Sequence, residues 1–212
     1  MNLVAIVDYG MCNLDSVARA VEECGGRPLV TDQKKDLETA GRIILPGVGA
    51  FPEAMQNIRK RSLDRILSEQ VFEHKIPFLG ICLGMQLLAA RGLEIAETAG
   101  LGWIPGEVKR LEPFGDDVRI PHVGWNEVQV VRESPLFKDI SPNKDFYFVH
   151  SYHLCPQHDQ DVLARTSYGR GFVSAVQREN IFGVQFHPEK SQRAGFQILK
   201  NFLQSREFLY AY

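Results

Sequence analysis

Leu3-Val4-Ala5-Ile6-Val7 is an uninterrupted apolar run of strand length, closed by Asp8-Tyr9-Gly10 and followed by an amphipathic stretch from Asn13 to Cys24. A run without polar alternation suits a strand buried on both faces, the condition of a parallel sheet. In the next stretch Leu14, Val17, Ala18 and Val21 share one helical face, Asn13 stands where a side chain can cap the helix, and Gly25-Gly26 end it. The alternation then repeats. Pro28 to Thr31 predicts a second strand and Arg42 to Leu45 a third, and a glycine-rich break at Pro46-Gly47-Val48-Gly49-Ala50-Phe51 leads into helical periodicity across Ala54 to Phe72. Phe78 to Ile81 is the fourth strand. Strand and helix in turn predict an α/β fold with a doubly wound, mixed and mainly parallel sheet, which binds ligands at the carboxyl ends of its strands. Beyond Trp103 the pattern changes to short strand-like pieces, Glu107 to Leu111, Asn126 to Val131 and Phe146 to Tyr152. Val173 to Val176 and Ile181 to Phe186 read as a hairpin pair, and Gln192 to Phe202 as a closing helix. The second half is therefore expected to be strand-rich. With no linker or repeat in view, residues 1–212 are expected to form a single domain.

Composition narrows the function classes. The chain is 212 residues long and 44% hydrophobic, with 24 Lys+Arg against 26 Asp+Glu and a net charge of -2, so it has material for one sizeable core. It has no long basic run that would make nucleic acid the main partner, and Arg59-Lys60-Arg61 reads as a solvated helix end. Cysteines 12, 24, 82 and 155 show no Cys-x-x-Cys spacing, which argues against a zinc ribbon or a redox pair and for reduced thiols. His150 and His153 lack a nearby carboxylate or cysteine of suitable spacing, so no metal is expected. The run Leu3 to Val7 is too short for a signal segment and no later one approaches membrane-spanning length. A soluble, cytoplasmic protein without membrane contact is expected.

The chemistry gathers in two stretches. Pro77-Phe78-Leu79-Gly80-Ile81-Cys82-Leu83-Gly84-Met85-Gln86 carries an apolar strand into Gly-x-Cys-x-Gly and then a helix-like segment, Leu83 to Ala90. It reads as a nucleophile elbow, in which the strand stops abruptly, the nucleophile takes a strained backbone conformation, and small residues two positions to either side make room. A helix after it aims N–H groups and the positive end of its dipole at the sulfur, favouring thiolate. The alternative is a buried structural cysteine between two turn glycines. Near the other end, Val184-Gln185-Phe186-His187-Pro188-Glu189 sets imidazole and carboxylate two residues apart on a backbone that Pro188 biases toward extended, so both face one side. Such a pair can act as a base with its orienting acid, or be no more than a turn after an edge strand.

In the order Cys, His, Glu, the two stretches resemble the class I glutamine amidotransferases. Serine hydrolases of the α/β type place the acid before the histidine, papain-like enzymes lack this elbow, and related intracellular proteases carry a histidine where this chain has Leu83. The resemblance implies hydrolysis of the carboxamide of L-glutamine through a Cys82 thioester, with His187 carrying protons and Glu189 orienting it, and no cofactor. The oxyanion then needs waiting donors, and the candidates are the backbone N–H of Leu83 and the Gly47-Val48 peptide, because a glycine-rich loop lets backbone approach substrate.

Asp8-Tyr9-Gly10, Pro46-Gly47-Val48-Gly49-Ala50-Phe51, Pro121-His122-Val123-Gly124-Trp125-Asn126, Tyr147-Phe148-Val149-His150-Ser151-Tyr152 and Phe186-His187-Pro188-Glu189-Lys190-Ser191 together resemble the glutaminase subunits of imidazole glycerol phosphate synthases over nearly the whole chain. This implies that Gly49, Gln86, Glu94 and Ser151 hold glutamine, with Gln86 and Glu94 at its charged α-substituents. It also implies a heterodimer in which ammonia passes to a separate (β/α)8 synthase subunit of histidine biosynthesis, faced by Asn13, Trp125 and Asn126. A core tryptophan is the alternative for Trp125. One position departs from the pattern: the usual opening Asp-Tyr-Gly-x-Gly-Asn-Leu here has Cys12 for its second glycine, so either the turn is reshaped or the position never needed glycine's freedom. Two other readings stay open, a paralogous subunit feeding ammonia to a sugar-modifying synthase of surface polysaccharide assembly, and a catalytically silent binding subunit. The intact Cys, His and Glu weigh against the second.

Overall fold

The structure, a computed structural model, describes residues 3–114 and 118–204. Its first half alternates as the apolar pattern predicts: β1 Leu3–Val7, α1 Leu14–Glu23, β2 Arg27–Thr31, α2 Lys34–Thr39, β3 Arg42–Gly47, α3 Phe51–Lys60, α4 Leu63–Ser68, β4 Phe78–Cys82 and the one-turn α5 Leu83–Gln86. The rest is strands until the last helix: β5 Ala89–Gly92, β6 Thr98–Ala99, β7 Ile104–Arg110, β8 His122–Val130, β9 Lys144–His150, β10 Tyr152–Pro156, β11 Val162–Thr166, β12 Phe172–Arg178 and β13 Ile181–Val184, then α6 Gln192–Gln204. Nine strands make one sheet in the order β2-β1-β3-β4-β13-β12-β11-β8-β9, and β10-β7-β5-β6 make a second. The sheet is mixed. Strands β2, β1, β3, β4 and β13 are parallel neighbours, while every pairing from β13 and β12 outward to β9 is antiparallel.

The unbroken apolar strands follow from burial on both faces. Val4 and Ile6 of β1 enter a core shared with Val17 and Val21 of α1 and Ile198 and Phe202 of α6. Ala5 and Val7, pointing the other way, enter a second core with Leu37 of α2, Ile58 of α3 and Leu67 of α4. Each fully buried Val, Leu, Ile or Phe side chain among these contributes about 1.5–3 kcal/mol of transfer free energy.

Four local expectations are corrected. The helical stretch expected over Ala54 to Phe72 begins at Phe51, is broken where Ser62 takes φ 57, and widens to a π-helical turn at Glu69–Glu73. The segment Leu83 to Ala90 is helical for one turn only. The carbonyls of Leu87 and Leu88 accept hydrogen bonds from Leu101, Trp103 and Ile104 across the chain, which draws the backbone into β5 instead. Helix α2 carries too few turns to show a period and was not expected; its start is held by a Thr31 hydroxyl that donates to Asp36 and accepts from the Gln33 N–H. Asn13 occupies the N-cap position of α1 but makes no capping hydrogen bond through its side chain. In the turn before it, Gly10 at φ 88 supplies the left-handed residue, and Cys12 is not among the residues with positive φ.

Candidate active site

The elbow depends on two missing side chains. A Cβ on Gly84 would run into the Leu45 carbonyl oxygen of β3, and one on Gly80 would meet the Gly84 carbonyl oxygen at 2.5 Å. With both positions small, Cys82 closes β4 at φ 54, ψ -110, a backbone conformation that costs a residue with a side chain about 1–3 kcal/mol. The next strand in the sheet brings the histidine. Strand β13 lies parallel to β4 with Val184 beside Ile81, so the chain leaving β13 emerges level with Cys82. His187 is extended at φ -98, ψ 96, and its backbone is pinned on both sides: its N–H donates to the Tyr147 carbonyl at 2.9 Å and its carbonyl accepts from the Ser191 hydroxyl at 2.6 Å. Its Nδ1 lies 2.7 Å from Glu189 Oε1, both side chains being almost wholly buried.

Nδ1 must donate to the carboxylate, which leaves Nε2 to accept a proton. Among the described residues Nε2 makes no hydrogen bond of its own, and its electrostatic neighbour is the Cys82 sulfur. Burial works against a charged imidazole, but Cys82 and Glu189 outweigh it and raise His187 to about 10. An imidazolium so favoured carries its charge beside the Cys82 sulfur.

The other expected site residues fall into two groups. Gly47 pairs with Cys82 in the β3–β4 register, and the Val48 N–H donates to the Met11 carbonyl at 2.9 Å. Gly49, at φ 114, packs so closely on Met11 that a Cβ would meet its terminal methyl at 2.6 Å. Glu94 accepts the Phe51 N–H at 2.8 Å, where the same glycine-rich loop enters α3. On the opposite side, Cys82 Sγ lies 3.8 Å from the Val149 carbonyl and Gln86 Nε2 donates to the Tyr152 carbonyl at 2.8 Å, so Ser151 sits between two contacts of the elbow. Leu83, buried, follows Cys82 directly. Trp125 is not a core residue: it is 47% exposed and packs edge-on against Tyr147, whose carbonyl holds His187. Asn126, its strand neighbour, points to the other face, with its Nδ2 3.4 Å from His122 Nε2. Asn13 is exposed at the start of α1.

Two polar features were missed. Gln185, fully buried, approaches the Cys82 sulfur; its signal was an amide inside the otherwise apolar run Ile181 to Phe186. His122 and His150 form a buried pair, with Nδ1 of the first 3.2 Å from Nε2 of the second, while His150 Nδ1 donates to the Tyr152 carbonyl at 2.9 Å. Burial lowers His122 from 6.5 to about 4 and His150 from 6.5 to about 3. The unfolded chain therefore takes up these protons first. The stability carried by the neutral pair is complete above about pH 6.5 and is lost as pH falls from there to about 4 for His122 and about 3 for His150, at about 1.4 kcal/mol per pH unit for each histidine. The urea midpoint should accordingly drop between pH 6.5 and pH 4.5; a flat midpoint over that window contradicts the assignment. Among the described residues no group of three His, Cys, Asp or Glu is placed to hold a metal ion, and no helix is long and apolar enough to cross a membrane.

Comparison with known proteins bears on this geometry. Residues 5–205 match the family model described as glutamine amidotransferase class-I. The chain is 48% identical over 202 residues to an imidazole glycerol phosphate synthase subunit HisH of Moorella thermoacetica, covering 95% of this chain and 94% of that one. It is 47% identical over 209 residues to subunit HisH 2 of Nitrobacter winogradskyi, covering 96% and 99%. Among solved structures, PurLQS of Thermotoga maritima shares the fold at a TM-score of 0.71 and 20% identity, over 99% of this chain and 98% of that one. A further structure, described as glutamine amidotransferase, does so at 0.73 and 19%, over 95% and 97%. With the family model spanning almost every described residue and the elbow cysteine facing a buried histidine and glutamate, this chain belongs to the class-I glutamine amidotransferase family.

Proposed function

We propose that this chain is the glutamine-hydrolysing subunit of an imidazole glycerol phosphate synthase. The observation that carries the chemistry is the strained Cys82 facing the buried His187–Glu189 pair at the carboxyl edge of the sheet. The choice of pathway rests on the relatives' names, and these support the histidine-pathway reading over a polysaccharide one.

His187 Nε2 takes the thiol proton and the sulfur attacks the carboxamide carbon of L-glutamine, giving a tetrahedral oxyanion. Collapse expels ammonia as His187 returns the proton to the leaving nitrogen, and a thioester remains on Cys82. Water, deprotonated by the same imidazole, attacks the thioester and glutamate leaves. Glu189 holds the Nδ1–H tautomer throughout and offsets the imidazolium charge. The Leu83 N–H is one oxyanion donor. The Gly47-Val48 peptide is the other, once its N–H leaves the Met11 carbonyl to which it is bonded here. Gly49, Gln86, Glu94 and Ser151 border the glutamine position. No cofactor is needed, and the reaction belongs to the cytoplasm, where a (β/α)8 synthase subunit would take the ammonia. Exposed Val123 and Trp125, close to Tyr147 and Lys190, offer an apolar face for that partner beside the triad.

The bond from Val48 to Met11 makes the isolated chain a poor glutaminase. Because one oxyanion donor is worth about a hundredfold to a thousandfold in rate, a partner that turns this peptide over should stimulate by that order. The check is steady-state glutamine hydrolysis with and without the cognate synthase and its acceptor ligand. Stimulation should be lost in Trp125→Ala, whereas full activity of the chain alone would refute both the switch and the interface.

A further inference from the structure

Gln185 carries a primary amide where the preceding residues, Ile181-Phe182-Gly183-Val184, are apolar, and it is 0% exposed. The parallel register of β13 on β4 sets it level with Cys82, and its Nε2 comes within 3.6 Å of the sulfur. A buried amide is costly unless both ends are bonded. Here the oxygen end is met by Gln86, whose Nε2 donates to Gln185 Oε1 at 3.1 Å.

An amide's nitrogen and oxygen are alike in shape, so its direction has to come from the groups around it. The Tyr152 backbone carbonyl settles it, since a carbonyl can only accept. Gln86 must turn its NH2 toward that carbonyl, at 2.8 Å, and the second hydrogen of the same NH2 then faces Gln185, which must answer with its oxygen. Turning Gln185 over would set two NH2 groups against each other. His150 Nδ1 donates to the same carbonyl at 2.9 Å and holds the fixed point in place. The NH2 of Gln185 is thereby committed to the sulfur, while the Val149 carbonyl, 3.8 Å away, is the acceptor available to an S–H.

We infer that Gln185 is a positioning residue for the nucleophile: its amide N–H, aimed from the Tyr152 carbonyl through Gln86, donates to the Cys82 sulfur and favours thiolate over thiol. This rests on Cys82 being the nucleophile. It also gives Gln86 a role inside the protein, as the element that orients Gln185.

The test is the pH dependence of Cys82 alkylation by iodoacetamide, with the labelled residue identified by peptide mass spectrometry, in the unmodified chain, Gln185→Met and Gln185→Glu. Methionine keeps the length without a donor; glutamate keeps the acceptor toward Gln86 but turns an oxygen to the sulfur. Both should move the midpoint to higher pH and, at pH 7, slow alkylation and lower kcat for glutamine by about tenfold with KM little changed, the expected loss for one hydrogen bond to a charged group. An unchanged midpoint in either folded variant overturns the inference. A measurement on the unmodified chain removes dependence on those variants folding. The Gln185 side-chain amide protons, followed by NMR, should shift through the alkylation midpoint, and the shift should vanish in Cys82→Ser. Amide resonances indifferent to Cys82 ionisation overturn the inference. If iodoacetamide shows no preference for Cys82 over Cys12, Cys24 and Cys155, the nucleophile assignment fails, and the inference fails with it.

Discussion

Cys82→Ser should lower glutamine hydrolysis by at least about a thousandfold while the chain keeps its fold and its stability, because the triad's members act as one unit and the hydroxyl is a far weaker acid than the thiol. A change of one atom in a side chain that is 5% exposed leaves the packing of the elbow intact, and Gly80 and Gly84 still provide its room. The other thiols cannot substitute. Burial and Asp8 raise Cys12 to about 11, burial raises Cys24 to about 11, and burial raises Cys155, so at neutral pH these three are held as unreactive thiols. Treatment with a glutamine-mimicking electrophile, followed by peptide mass spectrometry, should therefore give one adduct, on Cys82. An adduct on any other cysteine, or glutaminase activity surviving in the serine variant, would refute the assignment.

His187→Ala should be nearly as damaging as loss of the nucleophile, whereas Glu189→Gln should cost about tenfold to a hundredfold, since the carboxylate touches no substrate atom and acts only through the ring. The geometry sets this order. His187 is held in place by the Tyr147 and Ser191 backbone contacts even without Glu189, so a glutamine at 189 leaves the ring positioned and removes only the charge that favours its protonation. The pH profile of kcat/KM should separate the two roles: with the Glu189 contribution gone, His187 titrates lower than about 10 and the limb it governs moves toward neutral pH. Equal and small effects of the two substitutions would show that these residues do not form a catalytic pair.

Much of this is legible in the residues themselves, for reasons that are local. A strand buried on both faces is apolar along almost its whole length, so Leu3 to Val7, Arg42 to Leu45 and Phe78 to Ile81 declare a parallel sheet on their own. Glycines two residues either side of Cys82 are a steric requirement of the turn, and His-Pro-Glu puts base and acid on one side of an extended chain through its own backbone preferences. Helix length is less legible. Nothing within Leu83 to Ala90 ends that helix; the N–H groups of Leu101, Trp103 and Ile104, brought in by the second sheet, do.

What only the tertiary structure decided is which distant residues share a level in the sheet. Strand order places β13 beside β4, and the register of that pair, a matter of how both faces of each strand pack, sets Gln185 against a sulfur 103 positions earlier in the chain. The same is true of the Tyr152 carbonyl, whose meeting with Gln86, 66 positions earlier, no periodicity encodes. It holds too for the Val48 N–H, whose bond to Met11 depends on two loops that meet only once the parallel strands have aligned their ends. The sequence by itself determined the fold class, the tight turn at Cys82 and the pairing of His187 with Glu189, because each follows from side chains a few residues apart. The direction in which the surrounding hydrogen bonds point was decided only by folding, because an amide or a peptide can face either way until a fixed acceptor from another strand chooses for it.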